Sequence, residues 1–371
     1  ELNLRHVGLY LLVQVARKPG AHLGLAGAIA RTIQRPDELS EFLAMYWDRG
    51  RCPIAAQVKK GLGRAFGRFS GESLAKWNRD NEVKLRDVMF LTHPKPDGED
   101  QVSAWKALAA GALDPPDTWE VALSAGKDKK ATWERLLSEG KLGIMALLMN
   151  LRNMDQAGVS REKIVAALRA VRKSRAFPYR FLVAAKHAPH LAQELSDAML
   201  DRISELPRLR GSTHVVVDVS GSMEDRLSGK GDSKRLDAAA SVAVCARELC
   251  ESVRVFTFSN QLVEVSNVRG LQLAEAIDRS QPHQGTYLAQ SLATLKAKIE
   301  QPDRVVVITD EQAHDGIPTA HSRRRGYLVN VAPYKPALPA ESAHWVRISG
   351  WSDRLLDWIG IHEGEAQHAE S

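Results

Sequence analysis

The sequence predicts two folds in series: an all-α array of stacked antiparallel helix pairs, an α-solenoid, over residues 1–210, then an α/β doubly wound sheet over residues 211–360. Three observations carry this. Before Gly211, apolar residues recur at spacings of three and four, as in Leu9, Leu12, Val13 and Ala16, or Leu136, Leu137, Ile144, Leu147, Leu148 and Leu151. After Gly211 the pattern changes to short apolar runs alternating with helical stretches. The charge changes with it: 34 Lys plus Arg against 24 Asp plus Glu before Gly211, a balance of +10, and 17 against 21 from there on, a balance of −4.

Short breaks rich in Pro, Gly and Asp punctuate the first segment: Lys18-Pro19-Gly20, Arg35-Pro36-Asp37, Pro94 to Gly98, Asp114-Pro115-Pro116-Asp117 and Phe177-Pro178. They leave roughly a dozen helices of about 10 to 15 residues. No sequence repeat is visible, so a globular helical bundle stays open as the alternative on periodicity alone. Basic residues concentrate between Arg49 and Lys95. Lys59, Lys60, Arg64 and Arg68 share a helix face by their spacing. The next stretch carries Lys76-Trp77-Asn78-Arg79, then Lys84-Leu85-Arg86 and the turn Thr92-His93-Pro94-Lys95-Pro96. Such a surface neutralises phosphates, and His93 and Trp77 offer flat groups on which an unpaired base could stack. The plain alternative is a solvated charged face with Trp77 in the core.

In the second segment, Thr213 to Asp218, Val253 to Ser259, Arg304 to Asp310, Gly326 to Val331 and His344 to Ile348 read as strands. Gln261 to Val265 reads as an antiparallel edge strand. Helices are predicted from Lys234 to Ser252, Thr286 to Glu300 and Trp351 to Ile359, and residues 361–371 as a disordered tail.

Asp218-Val219-Ser220-Gly221-Ser222 sits where the first strand ends, the place where open α/β sheets bind ligands. One carboxylate and two hydroxyls at alternate positions suit a hard cation such as Mg²⁺ better than a soft metal. A second apolar run ends in Asp310, and Gly285-Thr286 opens a helical stretch between the two. The plain alternative is a pair of strand-terminal aspartates that only cap helices.

No apolar run approaches the roughly 18 to 20 residues of a membrane span, and no signal peptide is evident. The chain opens already in helical rhythm at Leu2, so residues are expected upstream. Cys52, Cys245 and Cys250 form neither a disulfide framework nor a zinc site, which fits a reducing cytoplasm. Gly229-Lys230-Gly231 lacks the full phosphate-loop pattern and reads as a flexible loop. Ser220 and Ser222 have no motif-supported base, since His214, His314 and His321 sit in no Gly-x-Ser-x-Gly elbow. The protein is therefore expected not to be an enzyme.

Together, Asp218, Ser220, Ser222, Thr286 and Asp310 resemble the metal-ion-dependent adhesion site of von Willebrand factor A domains. That resemblance implies Mg²⁺ held by the first four directly or through water, and by Asp310 through water. Gln284-Gly285-Thr286 stands where relatives often carry Gly-Gly-Thr. Arg86 to Pro96, Thr132 to Leu137, Lys141 to Met154 and Phe177 to Phe181 resemble successive motifs of the TROVE module. This order, helical module then A domain, is similar to the Ro ribonucleoprotein family, and the chain looks like a bacterial or phage member. Membership implies a monomeric ring of HEAT-like repeats closed by the A domain. It implies Y RNA on the outer face, single-stranded 3′ ends of aberrant RNA in the central hole, and an exoribonuclease as a possible bacterial partner.

By position the family's outer RNA-holding face carries over to Lys76 and His93. Asp80 stands where the family has a further charge, with Arg79 beside it. Lys59, Lys60, Arg64, Lys84, Arg86 and Lys95 join this set on charge and spacing alone. A different class of function is also open: an Mg²⁺-dependent protein-docking scaffold that acts through the A domain without RNA.

Overall fold

The computed structural model describes residues 5–20, 23–124, 126, 128–170, 178–227, 229, 231–312, 315, 320, 322–323, 325–332, 345–352 and 354–364. The chain divides into two compact units, Glu1–Lys127 and Asp128–Ser371. Packing therefore divides it earlier than the change of period at Gly211 does.

Among its described residues the first unit is entirely helical: α1 (Arg5–Arg17), α2 (Leu25–Thr32), α3 (Pro36–Tyr46), α4 (Ala56–Phe66), α5 (Gly71–Trp77), α6 (Leu85–Thr92), α7 (Glu99–Ala110) and α8 (Trp119–Ser124). The breaks fall where Pro, Gly and Asp predict them. Pro36 is the first residue of α3, where its missing N–H costs no hydrogen bond. One contiguous core runs through the unit, built from Leu9 and Val13 of α1, Ile29 of α2, Phe42 of α3, Leu62 and Phe66 of α4, Val88 of α6 and Trp105 of α7. Phe66 and Trp105 meet edge to face with ring centres 5.3 Å apart. The α2–α4 crossing is close because α4 offers Gly61: a Cβ there would stand 2.8 Å from the Ile29 Cβ and 3.0 Å from the Ala26 carbonyl.

The second unit opens with five more helices: α9 (Lys129–Ser138), α10 (Ile144–Gln156), α11 (Arg161–Ala170), α12 (Pro178–His187) and α13 (Ala192–Ser204). Lys163 to Glu134 (2.6 Å) ties α11 to α9, and Arg161 to Glu194 (2.7 Å) ties α11 to α13. The sheet follows: β1 (Leu209–Asp218), β2 (Cys250–Phe258), β3 (Leu262–Glu264), β4 (Arg304–Thr309), β5 (Arg325–Asn330) and β6 (Trp345–Ser349). Its order is β3-β2-β1-β4-β5-β6, all parallel except the edge strand β3. Its helices are α14 (Arg235–Leu249), α15 (Gly270–Asp278), α16 (Leu288–Lys298) and α17 (Leu355–His362). The apolar face of α16 packs with Val216, Phe256, Val305, Val307 and Leu328 on one side of the sheet. On β1 and β2 packs α14, whose alanine-rich sequence is buried nearly all round because α12, α13, α15 and α17 also lie against it. The Lys186–Asp237 ion pair and the Ser196 hydroxyl, which accepts the Leu271 N–H at 3.2 Å, join α12 and α13 to the α/β part. These bonds explain why the compact unit includes residues 128–204.

Four sequence expectations shift. The helix predicted to Ser252 ends at Leu249, because Cys250 and Ser252 pair with Leu209 and Ser212 of β1. The helix predicted from Thr286 to Glu300 is the shorter α16. The helix α15 had no sequence prediction. The closing helix runs on to His362, so 361–363 belong to the fold. Of the predicted tail, residues 365–371 lie outside the described residues, as do Phe177, Lys230, His314, His321 and His344.

Beneath the sheet, the fully buried Arg304 guanidinium holds the Glu363 carboxylate (2.6 Å) and donates to the Thr213 hydroxyl (2.9 Å), while the Tyr327 hydroxyl donates to Glu363 (3.0 Å). Burial and the Glu363 carboxylate together hold the Tyr327 phenol well above its usual range. Arg304→Met is expected to leave the buried Glu363 carboxylate without the Arg304 counter-charge, at a cost of about 3–5 kcal/mol. Hydrogen exchange should show α17 opening first. Unchanged α17 protection would contradict this. No helix among the described residues is long and apolar enough to cross a membrane. Cys52 is exposed and Cys245 and Cys250 are buried, and none of the three is in a disulfide.

Candidate functional site

The sheet order sets β1 and β4 side by side, with the chain continuing outward to β2 on one flank and β5 on the other. A crevice forms at the carboxyl ends of two such strands. Asp218 ends β1, and Asp310 directly follows β4, whose Ile308 pairs with Val217.

Asp218 is fully buried. Its Oδ1 accepts the Ser220 N–H at 2.8 Å and its Oδ2 accepts the Thr309 hydroxyl at 2.6 Å. Burial pushes its carboxyl up to about 6; the Thr309 and Ser220 hydrogen bonds oppose that rise and the nearby Asp310 carboxylate adds to it. Ser220 is buried, with its Oγ 3.3 Å from the Ser222 Oγ. The third segment is tied to the same place. The Gly221 N–H donates to the Gln284 carbonyl (3.1 Å), and the Tyr287 N–H donates to the Ser259 carbonyl (3.0 Å) at the end of β2. The Ser259 hydroxyl donates to the Gly285 carbonyl (3.0 Å) and accepts the Gln284 N–H (2.9 Å). These bonds hold Thr286, buried at the opening of α16, beside the serine turn. Gly285 is required where it stands, since a Cβ would come within 2.7 Å of the Tyr287 ring and 2.8 Å of the Asn260 Oδ1. Gln284, at the departure from Gly-Gly-Thr, bonds the Asn260 amide through its side chain.

The structure therefore gathers the loops bearing Asp218, Ser220, Ser222, Thr286 and Asp310. Their oxygens, with no nitrogen or sulfur among them, fit a hard cation. Sequence reasoning missed Arg235. It is the first residue of α14 and almost wholly buried, and its Nη1 donates to the Asp310 Oδ2 (2.8 Å) and the Ser222 carbonyl (3.0 Å). Its Nη2 lies 3.1 Å from the Asp225 Oδ2. A readable signal existed: a cation at a helix amino terminus opposes the macrodipole and needs anionic partners.

Beside the serine turn, Glu224, Asp278 and His283 bring possible ligand atoms within 4.8 Å of one another. Lys234 pairs with Glu224, the His283 Nδ1 lies 2.9 Å from the other Glu224 oxygen, and its Nε2 faces the Asp278 carbonyl at 2.8 Å. Burial opposes ionisation of Glu224, but Lys234 and His283 outweigh it and hold the carboxyl below its usual range. The group braces the 283–286 loop against the serine turn. His214, weighed as a base, lies buried within β1 with its ring against Phe256.

The predicted basic residues fall into two groups in the first unit. The 92–95 turn lies against the α4 segment: a Cβ at Gly63 would stand 3.5 Å from the Thr92 carbonyl and one at Gly67 4.0 Å from the Lys95 carbonyl, ordinary van der Waals contact. Lys59, Lys60 and Arg64, on that helix, and His93 and Lys95, on that turn, are all exposed. His93 caps α6 in the left-handed conformation, φ 47°, uncommon for a non-glycine residue. The second group, Arg79, Lys84 and Arg86, lines a shallow pocket of about 260 Å³ with Asn78, Asp80, Leu108 and Gly111. Lys76 is exposed on α5. Lys84 is paired with Asp80, which lowers the charge it offers a phosphate. Trp77 is neither core nor an open stacking platform: the Arg35 guanidinium lies 4.0 Å from its ring centre and Arg79 5.3 Å.

The profile of the TROVE domain matches residues 56–284, more than half of the chain, running from α4 across Gly211 and into the sheet domain. The fold is similar to the crystal structure of the Deinococcus radiodurans RO (RSR) protein, with a TM-score of 0.69 and 18% identity over 96% of this chain and 87% of that one. An aerotolerance-related membrane protein from Bacteroides fragilis aligns at a TM-score of 0.27 and 18% identity over 36% of this chain and 73% of that one, too weak to carry an argument. No curated protein sequence matches. A helical array followed by a six-stranded α/β sheet, in one continuous match to a Ro structure and with the TROVE profile across its centre, identifies this chain as a member of the TROVE-domain family with the fold of a Ro protein.

Proposed function

We propose that this protein binds noncoding RNA in the Ro manner, holding a structured Y-like small RNA on the basic face of its first unit and accepting single-stranded 3′ ends of aberrant RNA. The observation that carries the reading is the TROVE match together with the exposed Lys59, Lys60, Arg64, His93 and Lys95 on one helix and the turn packed against it. Lysines and arginines there supply phosphate contacts, and the His93 ring supplies a flat group for an unpaired base. Lys76, Arg79 and Arg86 add exposed positive charge elsewhere on the same unit; Lys84 contributes less because Asp80 neutralises it.

The α/β domain, in this reading, is of the von Willebrand A type. Asp218, Ser220, Ser222 and Thr286 hold one Mg²⁺, and Asp310 binds it through water. When bound, the ion supplies a Lewis-acidic docking point for an anionic group of a protein partner, an exoribonuclease being one such partner. The reading is one of binding in a reducing cytoplasm, not of catalysis.

The test is to purify the chain from its native cells, then extract and sequence the nucleic acid it carries. A discrete structured small RNA, lost steeply as salt rises, is the expected result. A preparation free of RNA at moderate salt would reject RNA binding in favour of metal-dependent protein docking.

A further inference from the structure

The Asp310 carboxylate is buried, and a buried carboxylate needs a counter-charge. The chain already provides one in Arg235. The guanidinium bridges the Asp310 Oδ2 at 2.8 Å and the Ser222 carbonyl at 3.0 Å, so a single side chain grips two of the three loops that form the metal site. It reaches outward to Asp225, which is exposed. Its position is costly on its own terms, because the first residue of α14 lies at the positive end of the helix dipole. Asp218, by contrast, touches no cation among the described residues: its two oxygens accept from Ser220 and Thr309, which are neutral. The site thus has one neutralised carboxylate and one that is not.

We propose that Arg235 is the built-in counter-ion of this metal site. It fixes Asp310 and the serine turn in place without metal, and its charge keeps divalent-cation affinity low. Asp218, Asp310, Asp225 and Arg235 sum to −2, and Mg²⁺ brings the site to zero. Without Arg235 the protein would offer −3, a stronger trap for the ion but a turn with one anchor fewer. Arg235 is therefore a positioning residue. The inference rests on the metal reading above.

The experiment is a Mg²⁺ titration of the full chain, wild type beside Arg235→Gln and Arg235→Lys, read by calorimetry and by thermal melting with and without the ion. Arg235→Gln is expected to melt lower without metal and to bind Mg²⁺ on the order of tenfold tighter, since a like charge a few ångströms away has been removed. Its melting temperature should return toward that of the wild type as Mg²⁺ is added. Arg235→Lys keeps the charge and should bind within about threefold of wild type. Equal or weaker Mg²⁺ binding by Arg235→Gln, with wild type binding normally, overturns the proposal and leaves the metal reading standing. If Arg235→Gln is unfolded, Mg²⁺ should restore its fold; failure to restore it at tens of millimolar Mg²⁺ overturns the proposal as well. Absence of Mg²⁺ binding by wild type and both variants overturns the metal reading, and the proposal with it.

Discussion

Replacing Lys60, Arg64, His93 and Lys95 together with alanine is expected to weaken RNA binding by on the order of a hundredfold. The estimate takes about 1 kcal/mol for each of three exposed phosphate contacts, about 3 kcal/mol in all, with His93 adding a stacking contribution. All four side chains are exposed and sit on a helix and turn whose packing runs through Gly63 and Gly67, so the fold should survive their loss. The salt dependence is the sharper readout. Three fewer phosphate contacts should flatten the slope of log affinity against log salt by about 2 to 3. Lys106→Ala, an exposed charge on α7, serves as the control and should leave both quantities within about twofold. Unchanged affinity in the quadruple variant, with its melting temperature intact, would remove this face from the RNA interface.

The two-part fold was legible because each part has its own period. The apolar stripes of α1 or α10 repeat at three and four, and Val305 to Thr309 is an uninterrupted buried run. Asp218 and Asp310 were legible for the same reason, since a polar residue closing a buried strand has one place to go. What stayed hidden depended on partners distant in sequence. Nothing near Trp77 signals that Arg35 will cover it. Cys250 to Ser252 extends a helical pattern and turns to strand only because β1 supplies its hydrogen-bonding edge. Lys84 reads as a free cation until Asp80, four residues back, is seen to take its charge. The unpredicted packing of residues 128–204 onto α14 and α15 has the same origin, a lysine and a serine on the helical side meeting Asp237 of α14 and Leu271 of α15.

The two polar centres of the second unit differ in how they handle buried charge. Arg304 and Glu363 neutralise each other, with hydrogen bonds from Tyr327 and to Thr213. At the carboxyl ends of β1 and β4, among the described residues, Arg235 pairs with Asp310 and Arg347 with Glu311, whereas the Asp218 oxygens meet only neutral donors. The Asp218 carboxylate is left with neutral donors and a pKa raised to about 6.

Asp218→Asn is expected to abolish stabilisation by Mg²⁺ while leaving the metal-free fold close to the stability of the wild type. The amide has the shape of the carboxylate and keeps an oxygen to accept the Ser220 N–H, and the Thr309 hydroxyl can rotate to accept from the new amide. It carries no charge, so a hard cation loses its one directly bound anion. Asp218→Ala is harsher, because it leaves the Ser220 N–H and the Thr309 hydroxyl buried without that acceptor, each costing about 1–3 kcal/mol. Comparing the two therefore separates loss of metal from loss of structure. For wild type, Mg²⁺ at a hundred times its dissociation constant should add about 2.7 kcal/mol, read as a rise in melting temperature that EDTA reverses. Asp218→Asn should show no such rise at any Mg²⁺ concentration. If Mg²⁺ lifts the melting temperature of Asp218→Asn as much as that of wild type, the ion binds elsewhere on the chain, and the Asp-x-Ser-x-Ser turn serves only to cap the strand end.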